Sequence, residues 1–88
     1  MGLMPSVADM LPLLDTLEYR IGFEMEAAGL AKPTIDATLP PAQRADALLA
    51  IVAEVQKARL PPPLKSLCKT IEKHAKALLK AAAKEAKT

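Results

Sequence analysis

The stretch LKSLCKTIEKHAKALLKAAAKEAK, residues 64–87, decides how the chain folds. At about 100° per residue, Lys65, Lys69, Lys73, Lys76, Lys80, Lys84 and Lys87 fall within an arc of roughly 100°. Leu64, Leu67, Cys68, Ile71, Ala75, Leu78, Leu79 and Ala82 fill the opposing arc, and no acidic residue lies inside the lysine arc. That is the period of a helix with a core on one side and water on the other. Lysines four apart repel each other by roughly a few tenths of a kcal/mol, so helix stability alone does not favour the row. It predicts a surface shaped for something negative.

Working back from this segment, prolines divide the rest of the chain. Three helices are expected, at about 7–29, 40–59 and 63–87. The first is capped by Ser6 or Asp9 and tolerates Pro12 in its opening turn. It buries Met10, Leu14, Leu17, Ile21, Met25 and Ala28 and ends near Gly29. The second follows Pro40 and Pro41, with Thr38 as its cap, and buries Ala45, Leu48, Leu49, Val52 and Val55. Between them, residues 30–39 form a loop that packs back through Leu30, Ile35 and Leu39. A polyproline spacer at 60–63, carrying Pro61, Pro62 and Pro63, holds the last helix at a fixed offset. That basic helix, at 64–88, runs for about 36 Å and is free to project, its final two turns thinning to alanine. The expectation is one all-α domain, 1–88, an antiparallel three-helix assembly.

Composition agrees with this. Eighty-eight residues make one small domain without room for a large internal cavity. The apolar half of the sequence is aliphatic, with Tyr19 and Phe23 as the only aromatics, which favours helices over a sheet. The aliphatic run 47–53 is too short for a bilayer, and no basic segment leads into an apolar core at the amino terminus. The chain is therefore expected to be soluble and intracellular, alone or within a complex. Its single cysteine fits a reducing compartment.

The net charge of +2 conceals a division. Residues 1–56 carry three basic groups against eight acidic ones, giving −5, and residues 57–88 carry nine against Glu72 and Glu85, giving +7. Such opposite ends suit an internal contact, head-to-tail association or two different partners.

The lysine row, read functionally, lies along an anionic partner, and otherwise is a solvated face. An acidic protein surface is favoured over nucleic acid, because the last helix has no arginine to grip phosphate and no aromatic to stack on a base. A membrane surface is the third choice. Tyr19 and Phe23, one turn apart, point away from the Leu14, Leu17, Ile21 stripe. They either pack under the 30–39 loop or dock into another subunit, with Gly22 permitting close approach. Met1, Gly2 and Ser6 fit the pattern for acylation at Gly2, for which the lysines supply a second membrane signal. The segment Arg59–Lys65 resembles a ligand for polyproline-reading domains but lacks a second spaced proline, so it reads as a linker.

Catalysis has little to work with. Cys68 and His74 are the only residues of their kinds and diverge by about 120° on one helix, too far to act as nucleophile and base, and they cannot alone make a zinc site. Glu24 and Glu26 face opposite ways, Asp15 and Glu18 share a side without an obvious partner, and three glycines make no phosphate loop. The sequence thus points to a non-catalytic assembly subunit without cofactor or small-molecule substrate. Its expected contacts are Tyr19, Phe23 and the lysine row, with nucleic-acid association and peripheral membrane attachment as alternatives.

Overall fold

A computed structural model describes residues 6–87 as three helices: α1 (Val7–Ala27), α2 (Pro41–Val55) and α3 (Pro62–Ala86). Ser6 caps α1 through a reciprocal box, its Oγ accepting from Asp9 N–H while the Asp9 carboxylate accepts from Ser6 N–H, both at 3.2 Å. Pro12 therefore stands in the second turn and not the first. It offers no N–H to the carbonyl of Ala8, and both residues are exposed, so water can serve that carbonyl. The α1 C-terminus closes as a Schellman motif. Gly29, at φ 80°, lets its own N–H reach Glu26 O and lets Leu30 N–H reach Met25 O.

The other two helices begin within a residue of their expected starts, each at a proline. Pro40 is the N-cap residue of α2 with Pro41 at its first position, because a missing N–H costs nothing there. Thr38 does not cap: its N–H and hydroxyl both donate to Asp36 Oδ1, and these bonds hold the Asp36 carboxyl below its usual pKa. The helix α2 stops at Val55, four residues before Arg59, and residues 56–59 are all exposed, so no burial favours a further helical turn. The proline run is split. Pro61 is extended (φ −66°, ψ 153°), while Pro62 and Pro63 open α3, so the spacer shrinks to a tight turn.

The helices do not alternate in direction. Arg44, near the start of α2, meets Asp15 and Glu18 in the middle of α1, while Ile51 and Val55 lie by Met25 and Leu30 at its end. Helices α1 and α2 thus run parallel, and α3 runs against both, with Glu85 Oε2 accepting from Val7 N–H at 2.7 Å. This departs from the antiparallel order expected, and the connection explains it. The thirteen residues between α1 and α2 can reach about 40 Å extended, enough to run back along an α1 about 32 Å long.

The core is the apolar side of α3 shared between the other two helices. Leu64, Leu67, Cys68, Ile71, Ala75 and Leu78 pack with Leu14, Leu17, Ile21 and Met25 of α1 and Ala45, Leu48, Val52 and Val55 of α2. Leu30 and Ile35 of the returning loop pack against its edge. Met10, Ala28, Leu49, Leu79 and Ala82 are only half-buried, whereas Ala81 is buried. At about 37 Å, α3 accounts for most of the molecule's 43 Å length, and only residues 83–87 are exposed at every position. That last turn is exposed but tied to the start of α1 through Glu85.

Ile71 is fully buried at the centre of this shared side. Replacing it with alanine should lower the unfolding free energy by about 3 kcal/mol, whereas the half-buried Leu79→Ala should cost visibly less. Urea unfolding at unchanged m-value checks both, and equal losses would show that the core is not centred on Ile71.

Candidate interaction surfaces

The first surface lies on the outer side of α1. Tyr19 and Phe23 are 74% and 60% exposed, so neither is covered by the loop, yet the loop runs beside them. With Glu18, Gly22, Glu26, Ala27, Lys32, Pro33, Ile35 and Ala37 they line an open groove of about 640 Å³. Gly22 is buried because the aliphatic stem of Lys32 crosses it; an added Cβ would meet Lys32 Cε at 3.3 Å. The ammonium of Lys32 then reaches Glu26 at 3.6 Å. The close approach that Gly22 permits is thus already used by the chain's own loop. What remains is two exposed aromatic rings beside a lysine stem, an arrangement that offers apolar area without a ready-made deep pocket.

The second surface is the lysine row. Lys65, Lys69, Lys73, Lys76, Lys80, Lys84 and Lys87 are all exposed along α3. Among the described residues no carboxylate lies within 4 Å of the ammonium groups of Lys65, Lys69, Lys73, Lys76 or Lys80. Glu72, at the border of the row, accepts from Gln56 Nε2 at 2.8 Å and is directed toward α2. Glu85 is engaged at the start of α1. The two acids of the basic third therefore serve helix contacts, and Lys65, Lys69, Lys73, Lys76 and Lys80 are left without an ion-pair partner among the described residues.

A third feature escaped sequence reasoning. Arg44 is 8% exposed, with its Nε donating to Glu18 Oε2 at 3.0 Å and its Nη2 donating to Glu18 Oε1 and Asp15 Oδ1. Hydrogen bonds from Glu18 first, then Asp15, hold the guanidinium proton more firmly than usual, outweighing desolvation. The fork is a joint between α1 and α2. Its signal was the shared side of Asp15 and Glu18; the missing datum was that α2 lies parallel and brings Arg44 to them.

The remaining candidates are scattered. Cys68 is wholly buried and its thiol is pushed up in pKa by desolvation, then by Glu72, which disfavours the thiolate. His74 sits half-buried beside Met10, Leu13 and Leu17 of α1. Among the described residues no group of three His, Cys, Asp or Glu side chains is placed to hold a metal ion, and no helix is long and apolar enough to cross a membrane. Gly2 lies outside the described residues.

Arg44→Ala should destabilise the fold by about 3 kcal/mol, because it leaves Glu18, only 10% exposed at its side chain, without a counter-charge. Asp15→Asn, at a position 66% exposed, should cost under about 1 kcal/mol. Thermal or urea unfolding separates them, and similar losses would mean that Glu18 is not the carboxylate that matters.

No protein-family model matches the chain, and neither a curated protein nor a solved structure is significantly similar to it. Its two exposed surfaces are what remains to read for function.

Proposed function

We propose that the protein is a non-catalytic assembly subunit that joins two partners. One docks on the aromatic groove of α1, and the other presents an acidic surface to the lysine row of α3. The observation that carries this reading is the exposure of Tyr19 and Phe23, the only two aromatic residues of the chain, both placed in water instead of in the core. A small domain short of core-forming groups gains nothing in stability from leaving its largest apolar side chains outside, and aromatics of this kind are favoured interface anchors. The five lysines from Lys65 to Lys80 that lack an ion-pair partner among the described residues support the second contact in the same way, since their mutual repulsion is relieved by an opposing negative surface. An intracellular setting accords with the single buried thiol. The same row lying on nucleic acid is the competing reading, and membrane attachment aided by Gly2 acylation is a third.

The test is a tagged capture from native lysate, split into nuclease-treated and untreated halves and repeated with Phe23→Ala and with Lys73→Glu/Lys80→Glu. A fixed set of proteins that survives nuclease supports assembly, and loss of the whole set on nuclease treatment moves the lysine row to nucleic acid. Phe23→Ala should weaken the first contact by about 2 kcal/mol or more. Charge reversal should weaken the second, with the wild-type contact also declining as salt is raised. If both variants retain the same set at the same salt, neither surface is an interface.

A further inference from the structure

The turn between α2 and α3 gathers positive charge that the sequence keeps apart. Arg59, Lys65 and Lys69 line one open notch of about 420 Å³, together with Gln56, Ala58 and Leu60. The proline run, expected as a spacer that holds the last helix at a fixed offset, contributes only Pro61 to the connection. Because α2 ends at Val55 and α3 begins already at Pro62, the chain doubles back within six residues and lays Arg59 beside the first two lysines of the row.

Among the described residues no carboxylate lies within 4 Å of any of these three cations. The nearest acids in sequence have partners of their own, Glu54 at Lys57 at 3.1 Å and Glu72 at the amide of Gln56, a wall of the notch, at 2.8 Å. The three like charges around the notch therefore have no ion-pair partner in contact, and a multiply charged anion seated among them lowers their repulsion. The kinds of cation also matter. A guanidinium presents a planar fork that matches two oxygens of a phosphate, whereas ammonium groups act as point charges around it. The absence of arginine from α3, which turned the sequence reading away from phosphate, does not hold at this end of the row, because the fold supplies Arg59 from outside the helix. Ala58 and Leu60 add a small apolar wall suited to the carbon side of a phosphate ester.

We propose that this notch is a phosphate-binding site, with Arg59 gripping two oxygens and Lys65 and Lys69 flanking them. It stands apart from the assembly reading, with which it shares only Lys65 and Lys69.

The experiment is an amide-shift titration of the full chain with inorganic phosphate and, separately, with a soluble inositol bisphosphate headgroup, each against chloride at matched ionic strength. Saturable shifts centred on Gln56, Arg59, Leu60, Lys65 and Lys69 are expected. Arg59→Gln should weaken binding about ten-fold or more, Arg59→Lys should restore only part of it, and Lys80→Gln, which removes the same charge from the far end of the row, should change it less than about two-fold. Arg59 is exposed, so its variants should keep the helical circular dichroism of the parent. Similar affinity for the two ligands assigns free phosphate, and preference for the headgroup assigns a phosphate ester; either supports the site. Shifts spread evenly along residues 65–87, equal losses in Arg59→Gln and Lys80→Gln, or no saturable response would overturn it.

Discussion

Everything in this fold hangs on the apolar side of α3. An 88-residue chain with two aromatic residues has few large groups to bury, and α3 holds the longest continuous stripe of aliphatic ones. Helices α1 and α2 each cover part of that stripe and meet one another mainly at its edge. This division fixes the rest. The lysines, on the side of α3 that neither helix covers, are left in water by geometry, and so is the side of α1 that carries Tyr19 and Phe23. Both exposed surfaces are thus consequences of one packing arrangement, on different helices and facing outward from a common core.

Where α1 and α2 do meet, a charged contact does what side-chain burial does elsewhere. Placing Arg44 and Glu18 out of water is expensive, and such pairs are seldom net sources of stability compared with apolar side chains of the same volume. Their value lies in direction. A guanidinium fork donates to its carboxylates in one geometry, whereas the attraction between aliphatic side chains has no preferred direction. With a 13-residue connection between them, α1 and α2 have no short loop to set their register, and the fork at Asp15, Glu18 and Arg44 supplies it. The Asp36–Thr38 turn and the Schellman closure at Gly29 fix the connection at its ends, leaving Lys32 to lie across Gly22 between them.

Much of this was legible in the sequence, and the parts that were not share a cause. Helix number, the buried residues of the central stripe, the Ser6 cap and the packing of Leu30 and Ile35 follow from local period and capping chemistry, which act within a few residues. The lysine row was legible for the same reason. Direction was not: nothing in residues 28–40 tells a loop that crosses the end of a bundle from one that runs back along a helix. The Arg44 fork was missed with it, since its partners lie 26 to 29 residues away, and so was the notch that Arg59 shares with Lys65 and Lys69 across the proline turn. The end of α2 was placed four residues too far, at Arg59 and not Val55, because the exposed residues after Val55 still have helical propensity but nothing to pack against.

Cys68 gives the molecule a built-in clock. It sits with no exposed surface in the first third of the helix on which both others rest, so no reagent in solution meets its sulfur while the three helices stay together. Alkylation of that one atom then counts openings of the bundle, and its rate measures how often α3 parts from its neighbours. The same burial keeps two copies from being joined by oxidation in the folded state, so a covalent dimer in an ageing sample records past unfolding and says nothing of native assembly.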